Sequence, residues 1–194
     1  VSGENSSEYV ALDTKTQPKY VEMIDCDNYV PDLTWSNSTL GFWNYIANNW
    51  MGKSDTFTDG TDVLISPQKN TTINISETVS PKTVVVKGEG KLTLQGTGAI
   101  AGTTSVNKTD DGTFVANTSN TYTGATILHK GIFSFASIAN GGDASALGAS
   151  IEYAQNWIWD GGTWSYTGAT ASTNRSAQIY NDTEFNIENN STLT

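Results

Sequence analysis

The sequence predicts an all-β protein built as a β-solenoid, and three observations carry that expectation. No window of twelve or more residues keeps apolar positions at i, i+3, i+4 and i+7 without a glycine or β-branched interruption, so helix signals are nearly absent. Apolar residues instead alternate in short runs broken by Gly, Thr, Asn and Ser, the pattern of half-buried strands. One motif, Gly-x-Φ-x-Φ with Φ apolar, also recurs along the chain: Gly90 precedes Lys-Leu-Thr-Leu, Gly112 precedes Thr-Phe-Val-Ala, Gly131 precedes Ile-Phe-Ser-Phe, and Gly162 precedes Thr-Trp-Ser-Tyr. Thr183 before Glu-Phe-Asn-Ile is a degenerate fifth copy, and the spacings are 22, 19, 31 and 21 residues. A period near 20 with one alternating strand per copy is the signature of stacked solenoid coils.

The expected strands run, in order, over 63–65, 72–75, 83–86, 91–94, 113–116, 125–128, 132–135, 157–159, 163–166 and 184–187. Each is too short to close a core alone, so they must stack. Period-2 alternation puts Leu92, Leu94, Phe114, Ala116, Phe133, Phe135, Trp164, Tyr166, Phe185 and Ile187 on one inward face. The glycines are expected to free the backbone at each corner. The long third interval places an inserted loop or an extra strand at Gly141-Gly142-Asp143-Ala144.

Composition narrows the possible functions. The 194 residues are 37% apolar, enough for a folded core in one domain or one domain with an attached segment. Net charge is −10 and Arg175 is the sole arginine, which argues against nucleic acid as a partner because phosphate binding needs clustered cations. No apolar run approaches the ~20 residues that cross a bilayer, and no signal peptide opens the chain. Cys26 is the single cysteine, so an intrachain disulfide and a thiolate metal site are both excluded. Flanked by Asp25 and Asp27, it reads as a small apolar residue rather than a reactive thiol.

The stretch Gly112-Thr-Phe, then Asn120-Thr-Tyr-Thr-Gly124-Ala-Thr-Ile-Leu-His-Lys-Gly131-Ile-Phe133, resembles the autotransporter-associated β-strand repeat of bacterial surface proteins. Asp143-Ala-Ser-Ala-Leu147-Gly148 and Asp160-Gly-Gly-Thr-Trp164-Ser-Tyr-Thr-Gly168 resemble its continuation, and Trp43-Asn44, Asn48-Asn49-Trp50 and 57–65 resemble the segment leading into such arrays. The resemblance covers roughly 35–194 and implies a right-handed parallel β-helix outside a bacterial cell. It implies no single activity. Residues 1–34 fall outside it and read as an N-terminal cap, a linker or the tail of a preceding domain. The run Tyr20-Val-Glu-Met-Ile-Asp25 there has the character of a strand. The end at Asn189-Asn-Ser-Thr-Leu193-Thr, within what reads as another coil, suggests a repeat region that continues in a longer protein.

Candidate chemistry is sparse. Asp110-Asp111 is the one adjacent acidic pair on the solenoid and lies in a turn, where Asp is favoured for backbone reasons. His129 is the sole histidine and has no partner for a triad, and Arg175 reads as a structural hydrogen-bonding residue. Asp55, Asp59 and Asp62 surround Gly60 and Thr61 and make calcium more plausible than any other cofactor, yet they lack the spacing of an EF-hand and read first as an Asp-rich turn, so no cofactor is expected. Six Trp and eight Tyr are the sharpest lead, because sugar rings stack on exposed aromatic faces. Trp43, Trp50, Trp157 and Trp159 are the candidate glycan-stacking residues. Against that role, the early aromatics fit a plug over the first coil, and alternation turns Tyr153, Trp157 and Trp159 inward. The expected function is therefore a non-catalytic structural or display scaffold at the cell surface or secreted. The alternative is a glycan-binding accessory module attached to a polysaccharide-degrading enzyme, with a polysaccharide partner.

Overall fold

The computed structural model describes residues 28–36 and 40–194. Cys26 and most of the segment 1–34 lie outside the described residues. Along the chain run β1 (Leu33–Trp35), β2 (Leu40–Trp43), β3 (Trp50–Gly52), β4 (Asp62–Ile65), β5 (Thr71–Ile75), β6 (Thr83–Val86), β7 (Lys91–Gln95) and β8 (Ser105–Lys108). They are followed by β9 (Thr113–Ala116), β10 (Thr126–Leu128), β11 (Ile132–Phe135), β12 (Trp157–Trp159), β13 (Thr163–Tyr166), β14 (Gln178–Ile179) and β15 (Glu184–Ile187). A single 3-10 turn at Ala154–Asn156 is the only helical element among the described residues.

The strands form two sheets. Sheet A has the order β14-β12-β10-β8-β6-β4-β1-β3, and sheet B the order β15-β13-β11-β9-β7-β5-β2. Every pairing is parallel except β1 with β3. From β4 onward successive strands alternate between sheets, and each repeat contributes one strand to each, an arrangement consistent with a β-solenoid. We call one such strand pair a rung. The registers of Asp62 with Thr83, Thr83 with Ser105, Val106 with Thr126, Thr126 with Trp157 and Ile158 with Gln178 set the rungs 21, 22, 20, 31 and 20 residues apart. The expectation of one strand per copy is thereby corrected. The glycine motif marks sheet B alone, and sheet A supplies a second strand with no glycine before it.

Parallel pairing stacks like positions on like positions. On sheet B the inward rows are Leu92, Phe114, Phe133, Trp164, Phe185 and Leu94, Ala116, Phe135, Tyr166, Ile187. The first eight of the ten predicted inward side chains, up to Tyr166, are buried. In the terminal rung Phe185 is half-buried and Ile187 is 42% exposed, because no described rung lies beyond them. Within the rows, Phe114 and Phe133 meet edge to face at 4.8 Å, and Phe133 and Trp164 meet as tilted rings at 4.9 Å, contacts that add about 0.5–1.5 kcal/mol each beyond burial.

The corner glycines have a sharper role than conformational freedom. A Cβ at Gly112 would sit 2.3 Å from the carbonyl oxygens of Gly88 and Gly90, and one at Gly131 would sit 2.4 Å from that of Gly112. Glycine therefore stacks on glycine where the backbones of successive rungs converge. The Asn-Thr-Tyr-Thr-Gly motif organises the opposite side, where the chain returns from sheet B to sheet A. Asn120 Oδ1 accepts the Ile100 N–H at 2.9 Å while its Nδ2 donates to the Ala146 carbonyl at 3.2 Å, so one side chain links three levels. Tyr122 is buried with its hydroxyl 2.7 Å from that of Thr126, and a Cβ at Gly124 would clash with the Thr104 carbonyl at 2.3 Å.

Truncating Phe133 to Ala should cost about 3–5 kcal/mol by denaturant unfolding, because it removes a fully buried ring held between two others. Ile187→Ala, in the half-open terminal rung, should cost less than about 1 kcal/mol in the same assay.

Candidate functional site

Three places hold the side chains singled out from the sequence: an aromatic plug at the first rungs, a polar ladder along the short corner from sheet A to sheet B, and the inserted loop on the return side. In the plug, β3 folds back antiparallel on β1, and Trp50 meets Trp35 and Trp43 edge to face, each at 5.2 Å. Phe57 adds an edge contact to Trp43 at 5.4 Å. Trp43, Trp50 and Trp157 are 0%, 2% and 5% exposed, which removes their faces from contact with a sugar ring. Their use as a glycan-stacking platform is corrected accordingly: their rings fill the interior. Trp159 is half-buried and stacks on Phe185 at 5.2 Å. It borders a cavity of about 280 Å³ lined also by Trp157, Arg175, Ala177, Phe185, Ile187 and Leu193. Tyr153, expected inward, is 47% exposed, because the 3-10 turn separates it from β12 and breaks the alternation.

The indole N–H groups of Trp43, Trp50, Trp157, Trp159 and Trp164 are buried without a hydrogen-bond acceptor among the described residues. The rings themselves pack against other rings, as in the edge-to-face pairs of Trp157 with Trp159 at 5.1 Å and with Trp164 at 5.5 Å. These indoles serve packing and contribute no directed polar contact.

The corner ladder gathers Asp110, Asp111, His129 and Lys130 on successive rungs. Lys130 Nζ pairs with Asp111 at 2.7 Å. His129 Nδ1 lies 2.8 Å from Asp160 Oδ2, and Asp160 Oδ1 accepts from Asn181 Nδ2 at 2.7 Å. Asp111 and His129 are thus each engaged by a neighbour one rung away, while Asp110 accepts from the adjacent Thr109 hydroxyl. Lys108, which sequence reasoning passed over, occupies an inward position in the row Ile65, Val86, Lys108, Leu128, Trp159. It is fully buried, and its ammonium reaches out at the strand end to the carbonyl oxygens of Asp110 and Lys130. Burial pushes its pKa down to about 8, against the opposing pull of Asp110, Asp111 and Glu89. Alignment of Ser105-Val-Asn-Lys with Thr83-Val-Val-Val would have shown a lysine in an apolar row.

Arg175 stands apart on the return side. Its guanidinium donates to the carbonyls of Ala139 (3.0 Å), Asp143 (3.3 Å) and Gly148 (2.9 Å) and to Ser150 Oγ (3.0 Å). One side chain therefore fastens the whole inserted loop. Asp110, Asp111 and His129 share a corner that Arg175 does not reach, so the four do not assemble into one cleft. Of the candidate calcium ligands, Asp62 pairs with Lys82 at 2.9 Å, while Asp59 accepts from the Tyr45 hydroxyl and the Ser80 N–H. Among the described residues no three acidic, His or Cys side chains are placed to share a metal ion, and no helix is long and apolar enough to cross a membrane.

Comparison with known proteins finds a partial similarity. Over 103 residues, half of this chain, the sequence is 35% identical to the "Adhesin BmaC autotransporter" of Brucella suis biovar 1 (strain 1330). The match spans 3% of that protein's length. No protein-family profile matches the chain, and no solved structure matches it.

Because the folded-state pKa of Lys108 lies below its unfolded value, the unfolded chain binds the extra proton between the two, and stability contributed by this site rises as pH increases from 8 towards 10. Lys108→Met should remove up to about 3 kcal/mol of that rise, read from chemical denaturation across the window. Arg175→Ala should lower stability by about 2–4 kcal/mol through its lost charge-assisted bonds, and limited proteolysis should then cut within 139–150.

Proposed function

We propose that this chain is a non-catalytic, right-handed β-helical scaffold segment of a bacterial surface or secreted protein, of the autotransporter passenger kind. The observation that carries this reading is the uninterrupted stack of rungs. The residues with reactive groups are spent on holding neighbouring rungs together, as in Asp111 with Lys130 and His129 with Asp160, and the bulky rings fill the interior. The middle rungs of the outer face of sheet B carry Thr72, Asn74, Thr93 and Ser134 beside Val115, a largely polar surface suited to an extended stalk. The similarity to an adhesin autotransporter supports an extracellular location and a display or adhesive role for the parent protein. The glycan-binding alternative has less support, since Trp43, Trp50 and Trp157 are occupied in packing and Trp159 alone of its candidate rings keeps partial exposure.

The test is location. Antibodies raised against the purified chain should label intact cells of the source bacterium, and external protease should abolish the label. Labelling that appears only after lysis would overturn the reading.

A further inference from the structure

The inserted loop contains the only Asn-Gly pair in the chain, Asn140-Gly141. In such a pair the glycine nitrogen can close on the asparagine side chain, because no Cβ obstructs the ring. Packing calls for glycine at this position, since a Cβ on Gly141 would stand 2.3 Å from the Glu152 nitrogen. Asn140 is exposed, so water reaches it. Yet both reacting groups are engaged by one residue of the following rung. The Gly141 N–H donates to Asn174 Oδ1 at 2.7 Å, and the Asn174 N–H donates to Asn140 Oδ1 at 3.0 Å. The Asn140 carbonyl accepts in turn from the Asp143 N–H at 3.1 Å and from the Arg175 guanidinium at 3.5 Å. The nitrogen that would attack, the amide it would attack and the carbonyl between them are all anchored.

We propose that Asn140-Gly141 is a deamidation site that Asn174 keeps closed, and that it reacts when the inserted loop comes away from Arg175. In the reaction the Gly141 nitrogen forms a bond to Asn140 Cγ and the Cγ–Nδ2 bond breaks. The side-chain nitrogen leaves as ammonia, with the proton that Gly141 gives up. Water then opens the imide at either carbonyl and leaves an aspartate or an isoaspartate, with an added negative charge. Closure forfeits the hydrogen bond from Gly141 to Asn174, since it removes the proton that forms it. A reacting pair also needs its atoms aligned at about 3–3.5 Å, and the torsions that set this alignment are restrained while Asn140 and Gly141 are both tied to Asn174. The isoaspartate product routes the main chain through Cβ and Cγ, which displaces the carbonyl that Asp143 and Arg175 hold. A loop that has opened and reacted therefore cannot return to its former bonds, and the modification records that the clasp was released.

Peptide mapping by mass spectrometry on the full chain, incubated at mildly alkaline pH, tests this. Deamidation at Asn140 should run at least about tenfold more slowly than in an isolated peptide spanning 136–146. Asn174→Ala removes the acceptor for the Gly141 N–H and should recover most of the peptide's rate, and Arg175→Ala, which frees the loop, should do the same. Asn174→Asp keeps an acceptor oxygen and should stay slow. Deamidation of the unaltered chain at the rate of the peptide would overturn the proposal, and that comparison decides alone if a variant fails to fold. A folded Asn174→Ala chain that reacts no faster than the unaltered one would overturn it too.

Discussion

Parallel pairing in strict register is the constraint from which the rest of this structure descends. When each strand lies directly over its predecessor, a side chain at a given place in one rung must tolerate the same place in the next. An inward row is then apolar along its whole length or it fails. The sheet B rows meet this condition with Leu, Phe and Trp in sequence, and their rings interlock from rung to rung while also meeting sheet A rings such as Trp157 and Trp159 across the core. Each rung contacts mainly its neighbours, so stability accumulates along the stack.

The same constraint explains where glycine and asparagine fall. At the short corner the backbones of adjacent rungs come within a distance that no Cβ tolerates, hence glycine over glycine at 90, 112, 131 and 162. On the return side the chain leaves the sheets, and its polar backbone groups need other partners. Asn120 provides them at one level, and Arg175 does so for the inserted loop at another. These two residues hold the return loops after β9 and β11 in place. Packing differs between the first and last described rungs: the Trp35, Trp43 and Trp50 cluster fills the first, whereas Phe185 and Ile187 are partly exposed in the last.

Charged groups follow from the geometry as well. The ladder of Asp111, Lys130, His129 and Asp160 runs along one corner because neighbouring rungs bring each side chain within reach of its partner there, Lys130 against Asp111 and the His129 ring against Asp160. Lys108 shows the limit of the rule. Its stem completes an apolar row and its ammonium escapes at the strand end, in the manner of a long side chain that buries its methylenes and keeps its head polar. Such a chain is organised for mechanical continuity, and its chemistry serves that end.

Much of this was legible in the sequence because alternation and glycine spacing are local signals. The Gly-x-Φ-x-Φ copies identified every sheet B strand from β7 onward, and their alternation named the inward residues. Sheet A was harder to read. Its strands carry apolar residues on both faces, so alternation vanishes in Thr83-Val-Val-Val and is broken by Asn107 and Lys108. That a rung holds two strands was therefore invisible until pairing was known. The aromatic residues pose the same difficulty in another form: composition shows that rings are abundant, but whether Trp43 or Trp157 faces a ligand or a neighbouring rung depends on what lies above and below it. The repeat, its period and one inward face were determined by the sequence itself. The second sheet, the closed ring packing and the apolar outer row of sheet A were decided only by the tertiary structure, since each depends on contacts between residues a full rung or more apart.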